Sequence, residues 1–252
     1  MSNLAHIQCS TTSDEKVKVA INRPNFLPWL GFMAILDSVD VFIVLDEILS
    51  STRNFLTRNQ IKDKQGKAQW ITQSKHKASI HTRVCDLELK ASNWREKLVN
   101  QITDYYRKAP YFSKYADDIF TLINNNESNL LTYNVSMLKS LCNYLGINTK
   151  FYLASEILEK EHENAQDRMI DLCQKVKASG YYNPKDGVEK GLYQVDKFNK
   201  CGLDLYKHIY QHPEYPQING EFVPYMSVID LLFNCGDDSL NILRSGNGWE
   251  KQ

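Results

Sequence analysis

The chain lacks the short motifs that announce the commonest chemistries. No GxGxxG, Walker loop, GxSxG or HExxH occurs. That removes the glycine turn for a dinucleotide, the phosphate cradle of a P-loop, the elbow of a serine hydrolase and the paired histidines of a zinc protease. Formal net charge is zero and no long basic run appears, so no extended nucleic-acid surface is expected. No run of about 18 apolar residues occurs either, so no membrane span is expected. The six cysteines, Cys9, Cys85, Cys142, Cys173, Cys201 and Cys235, include no CxxC pair. Cys142 and Cys173 fall on apolar helical faces, which fits buried reduced thiols. The opening MSNLAHIQCSTTSDEK is polar and without the apolar core of a signal peptide. Residues 1–16 therefore read as a flexible leader and the protein as cytoplasmic.

What is present is organised around residues 17–47, VKVAINRPNFLPWLGFMAILDSVDVFIVLDE. Val17, Val19 and Ile21 favour a strand, and Pro24 with Pro28 bounds a turn that cannot belong to a central strand. Pro28 suits the first position of a helix whose apolar side carries Trp29, Leu30, Met33 and Leu36. Val39 to Leu45 is a nearly unbroken apolar run, as expected of a strand covered on both faces. A parallel pair joined by a right-handed crossover places both carboxyl ends on one sheet edge. Asn22 and Arg23 then face Asp46 and Glu47 where open α/β sheets bind their ligands. The same acids also suit a solvated strand cap.

After this unit, residues 49–77 are rich in Arg, Asn, Gln and Lys. Ile61-Lys62 and Gln69 to Gln73 read as short strands joined at Lys64 to Gly66. Arg53, Arg58 and Asn59 follow Asp46 closely enough to fold back over the crevice and offer forked donors to a phosphate or carboxylate. Three helices are expected at Asn93–Lys108, Tyr111–Ile123 and Asn129–Leu145, with Asn93 as an N-cap and Gly146 as a C-terminal stop. They form a helical insert at about residues 93–146. The aromatics around Ala109-Pro110 suit either a core or a pocket wall.

The α/β pattern returns with a strand at Thr149–Leu153 and a helix at Ala165–Ala178, ended by Ser179-Gly180. Residues 181–193 read as loop, and Leu203–Tyr210 as another strand. His208 and His212 are four residues apart, but four residues of strand span about 13 Å, too far for two imidazoles on one ion, so no metal site is expected. Ser227 can cap a closing helix in which Asp230 completes a capping box and Gly236 provides the stop. Ser227 and Asp230 at the mouth of the crevice is the competing reading. A terminal helix is expected at Asp237–Arg244, with residues 245–252 a frayed tail. The whole is an α/β fold with a mostly parallel sheet, one domain over residues 17–244.

INRPNFLPWLGF, VFIVLDE, TRNFLTRNQIK, KAPYF and HPEYPQINGEFVPYMSVIDLLFNCG together resemble the WbqC-like family, over nearly the whole of residues 17–236. The resemblance implies a bacterial cytoplasmic protein associated with O-antigen or other surface-polysaccharide (lipopolysaccharide) biosynthesis. Two departures stand out. The family's opening His-Gln pair is Asn22-Arg23 here, and its Ser-Gly stretch before the late Tyr is Tyr182-Asn183-Pro184. Asn22 can hydrogen-bond a ligand but cannot replace a proton-transferring histidine.

The function expected on these grounds is a transferase adding an acyl or aminoacyl group to a nucleotide-activated amino sugar. In that scheme Arg53 and Arg58 hold phosphates, Asp46 orients or deprotonates the amine and His212 assists proton transfer. Asn25, Tyr193 and Tyr215 line the pocket, with Asn22, Arg23, Asn59, Ser227 and Asp230 also at the site. The partners are the nucleotide sugar and the acyl or aminoacyl donor; no cofactor is indicated. A non-catalytic nucleotide-sugar binder is the rival, and a nucleotidyltransferase, without HxGH-type histidines, ranks behind it.

Overall fold

A computed structural model describes residues 16–50, 55–79, 81–183 and 185–252, leaving out the side chains of residues 185 and 186. The expected leader, apart from residue 16, and Arg53 lie outside the described residues. The first unit is β1 (Val17–Asn22), α1 (Leu30–Ser38) and β2 (Val41–Val44), followed by a hairpin of β3 (Arg58–Lys62) and β4 (Ala68–Thr72). The insert comprises α2 (Trp94–Tyr106), α3 (Phe112–Ile123) and α4 (Leu130–Leu145). Next come β5 (Lys150–Leu153), α5 (Ala154–Ile157), α6 (Ala165–Lys175) and β6 (Ala178–Asn183). The chain closes with α7 (Lys185–Glu189), α8 (Val195–Lys200), β7 (Asp204–Tyr210), α9 (Val228–Cys235), α10 (Ser239–Ser245) and β8 (Asn247–Lys251).

The main sheet has six strands in the order β5-β2-β1-β6-β7-β8, and β3 with β4 forms a separate pair. β1 pairs in parallel with both β2 and β6, β2 with β5, and β6 with β7, while β8 runs antiparallel to β7 and β3 antiparallel to β4. Chain order therefore moves outward from β1 through β2 to β5, then returns to β6 on the other side of β1. That reversal makes the carboxyl ends of β1 and β6 a switch point, the position where open α/β sheets bind their ligands.

Successive strand residues alternate between faces. Ala20, Phe42 and Val44 face one core, which also contains α1, α9 and the apolar sides of α2, α3 and α4. Val19, Ile21, Val41 and Ile43 face a smaller core built with α6, Tyr181, Phe198 and Leu205. The helical insert thus shares its core with the sheet. Gly146, at φ 73°, ends α4 in the left-handed conformation expected of it, and Asn129 caps the start of α4 through Thr132 N.

Four sequence expectations need correction, the first being Pro28, which stands before the N-cap Trp29 and not at the first position of α1. α6 stops at Lys175, and residues 178–183 form β6 instead of a helix end and loop. Ser179-Gly180 was an apt turn signal, but Gly180 serves close packing in a strand. A Cβ there would lie 3.2 Å from both the Tyr182 and Tyr206 rings, which stack at 4.5 Å. Residues 247–251 are not frayed: they form β8, with Trp249 opposite His208. Asn93 precedes α2 but makes no side-chain cap bond.

Candidate functional site

The carboxyl edge on the α6 side gathers polar side chains that the fold leaves incompletely satisfied. Leu45 N donates to Asn22 O at 2.9 Å, locking the ends of β1 and β2 in step. Glu47 follows Leu45 on the face occupied by α6, and its Oε1 lies 3.2 Å from Arg168 Nε in the first turns of that helix. The contact is an ion pair without hydrogen-bond geometry, and neither Glu47 oxygen has a hydrogen-bond partner. Burial raises the Glu47 pKa above the ordinary carboxylate range, against the lowering effects of its backbone, Arg168 and Arg83.

Arg23 leaves the end of β1 at the same sheet edge, directly before Pro24. Its guanidinium is half-buried, its Nε is unpaired, and burial lowers its pKa. Asn183 ends β6, is 3% exposed and leaves Oδ1 unpaired while its Nδ2 donates to Tyr181 Oη. A Cβ on Gly187 would collide with that Oδ1, so the glycine gives the amide room. Gln166, 6% exposed, accepts from Gln194 N at 2.7 Å and leaves Nε2 unpaired. Tyr193 packs edge-on against Tyr181 and Phe198 beside this group.

Asp46 stands next to Glu47 but has a different task. It is 1% exposed, its Oδ1 accepts from Ser155 N at 2.9 Å, and its Oδ2 accepts from Ser155 Oγ. It therefore fastens the start of α5 to the end of β2. Asn22 Oδ1 accepts from Arg23 N at 2.8 Å and shapes the turn. Asn25, on the same turn, is half-buried.

The remaining expected residues divide among other surroundings. Arg58 lies with its guanidinium carbon 4.2 Å over the Trp70 ring on the hairpin. Asn59, fully buried, donates from Nδ2 to Phe26 O at 3.3 Å and ties the hairpin to the loop after β1. Ser227 caps α9, accepting from Ile229 N at 3.5 Å, while its own N–H donates to Gln60 O at 2.7 Å. That second bond replaces the capping box expected from Asp230. Asp230 instead points into the core, accepting from Tyr106 Oη at 2.7 Å, Tyr215 Oη at 2.7 Å and Gln217 Nε2 at 2.8 Å. Complete burial raises its pKa, opposed by those three donors and Lys62. Asp230 and Tyr215 thus belong to a buried network rather than a crevice mouth.

His212 follows β7 on the other face of the same edge. Its Nδ1 donates to Pro213 O at 2.9 Å and its Nε2 accepts from Tyr225 N at 3.0 Å. Both ring nitrogens are occupied in the neutral form, which burial favours by lowering the pKa. Trp29, Tyr215, Phe222 and Tyr225 surround the ring.

Sequence reasoning noted Glu47 without assigning it a role, and missed Gln166, Arg168 and Asn183. The first turns of α6 and the end of β6 reach the edge only through the crossover. That is a tertiary relationship, although the polar residues Gln166 and Arg168 beside a helix start were visible. Two surface concavities, of about 610 and 570 Å³, are lined by the insert and its approach and include none of these side chains. Among the described residues, no group of three or more His, Cys, Asp or Glu side chains is arranged to hold a metal ion. No helix of the described residues is long and apolar enough to cross a membrane.

Residues 23–242 match the WbqC-like protein family. The chain belongs to that family. This WbqC-like protein is also 29% identical over 231 residues to the uncharacterized protein Rv1507c of Mycobacterium tuberculosis strain H37Rv, covering 90% of this chain and 97% of that one. No solved structure matches it. The matched region begins at Arg23 and encloses the carboxyl-edge cluster.

Proposed function

We propose that this WbqC-like protein is a transferase of surface-polysaccharide biosynthesis that adds an acyl or aminoacyl group to the amine of a nucleotide-activated amino sugar. The observation carrying the site is that Arg23, Glu47, Gln166 and Asn183, which follow or end β1, β2 and β6 or open α6, each leave a buried polar atom unpaired. Such atoms are costly unless a ligand completes them. The polysaccharide context comes from the family resemblance. Arg23 offers a forked cation for phosphate, and Asn183 and Gln166 offer an acceptor and a donor for sugar polar groups.

Glu47 is the base in this scheme. As the amine nitrogen bonds to the donor's carbonyl carbon, Glu47 takes the proton released. The bond from that carbon to the leaving thiol or alcohol then breaks, and Glu47 returns the proton to it. A raised pKa places the carboxylate nearer neutral, where a general base is most effective. Asp46, held by Ser155, and His212, held at both nitrogens, serve structure.

The test is a transfer assay with UDP-linked amino sugars against acyl-CoA and aminoacyl donors, coupled to thermal shift. Sugar nucleotide at about 100 times its dissociation constant stabilises the native state by about 2.7 kcal/mol. The reading expects that shift in the wild type, its loss in Arg23→Ala, and binding without turnover in Glu47→Gln. Saturable binding with no product from any donor would instead favour a nucleotide-sugar binding protein. The occupied states of Asp46 and His212 suit that second reading.

A further inference from the structure

Opposite the Glu47 cluster, across the same sheet edge, lies an aromatic wall that this transfer chemistry does not use. Trp29 and His212 stack at 6.4 Å and 19°, and Tyr225 meets Trp29 at 5.6 Å and His212 at 5.2 Å. Tyr225 is 58% exposed, although its ring is built into this contact. Its backbone is left-handed at φ 64°, uncommon for a residue with a Cβ. The conformation is pinned by the bond from Tyr225 N to His212 Nε2 at 3.0 Å. Large aromatics usually turn inward. Here a strained backbone and a committed histidine hold one outward.

The placement connects the wall to the crevice. Trp29 and Arg23 lie on the same turn after β1, and His212 follows β7, with β6 between the two strands. β1 and β7 are therefore about 10 Å apart, two strand spacings. We propose that Tyr225, backed by Trp29 and His212, is the stacking surface for the nucleobase of a nucleoside diphosphate whose phosphates reach Arg23 across the strand ends. This rests on the nucleotide-sugar reading and adds the part of the ligand it leaves unplaced. Aromatic stacking tolerates any base because each presents a π face, so the surface assigns the class of ligand and not one base. His212 is a positioning residue in this arrangement.

The test compares uridine diphosphate with inorganic pyrophosphate by titration calorimetry on the wild type, Tyr225→Ala and Tyr225→Phe. Removing one stacking ring weakens base binding by about tenfold or more. Tyr225→Ala should lose that factor for uridine diphosphate and keep wild-type affinity for pyrophosphate, while Tyr225→Phe keeps both. Equal uridine diphosphate affinity in the wild type and Tyr225→Ala overturns the stacking surface. So does a wild type that binds pyrophosphate as tightly as the nucleotide, although the crevice reading then survives. Binding of neither ligand overturns both. Tyr225-dependent nucleotide binding with no transfer to any amino sugar supports the surface and sinks the transferase reading alone.

Discussion

Glu47 Oε1 lies 3.2 Å from Arg168 Nε, across the gap between the end of β2 and the first turns of α6. The pair meets where burial and Arg168 pull the carboxyl's pKa in opposite directions, with burial prevailing. Turnover should therefore rise with pH along a limb above the ordinary Glu range of about 4.3. Replacing Arg168 by Gln removes a lowering influence, so the limb moves to higher pH. Glu47→Gln should remove the limb and cost roughly 100- to 10,000-fold in turnover while circular dichroism stays unchanged. A pH-rate profile that ignores both substitutions would exclude Glu47 as the base.

Asp46 separates from its neighbour by a different measurement. Both of its oxygens accept from Ser155, so Asp46→Ala leaves the start of α5 without its anchor. A loss of about 1–3 kcal/mol in denaturant titration is expected, as for a buried polar group deprived of its partner. Turnover per folded molecule should be largely retained. An unchanged midpoint with abolished turnover would return Asp46 to the chemistry.

The two tyrosines on Asp230 make a matched pair. Tyr106→Phe and Tyr215→Phe each remove one donor from a fully buried acid. Each should destabilise by about 1–3 kcal/mol. Tyr106→Phe should cost more, because it strands the buried Lys62 N that donates to Tyr106 Oη at 2.8 Å, whereas Gln217 Nε2, which donates to Tyr215 Oη at 3.2 Å, keeps Val223 O and Asp230 Oδ2 as acceptors. Equilibrium unfolding of the two variants in parallel checks the order.

His208 and His212 both have pKa values lowered by burial. The unfolded chain binds their protons more readily, so the stability they confer is present above the unfolded value of about 6.5 and is lost as pH falls. At His212, protonation removes the acceptor for Tyr225 N and should release the Tyr225 ring. Wild-type stability should fall between about pH 7 and pH 5 more steeply than that of His212→Gln. Parallel slopes would show that His212 does not carry the effect.

The architecture was legible where local signals agree with tertiary use. The βαβ opening, the insert helices and the stops at Gly146 and Gly236 follow from periodicity and glycine stops, which act within a few residues, whereas Pro28 and Asn93 do not take the helix-start roles their types suggest. β6 was hidden because Gly180 and Asn183-Pro184 carry turn chemistry, and the packing that makes Gly180 useful comes from Tyr206 on another strand. The site was half legible for the same reason. Arg23 and Glu47 follow strands recognised from sequence, whereas Asn183 and Arg168 arrive through the crossover. Asp230 shows the reverse case: its spacing from Ser227 suits a capping box, but two distant hydroxyls and an amide claim it first.

The Asp230 node also bears on the order of folding. Tyr106 and Asp230 are 124 residues apart, and Lys62 reaches Glu221 O across 159. Contacts of such long separation close loops whose entropy must be met before they return any stability. The insert helices, with their local contacts, are expected to form early, and the node is expected to close after the rate-limiting step. Tyr106→Phe and Tyr215→Phe should then accelerate unfolding far more than they slow refolding. The same hydrogen bonds would make this acid the latch that governs how long the native state persists.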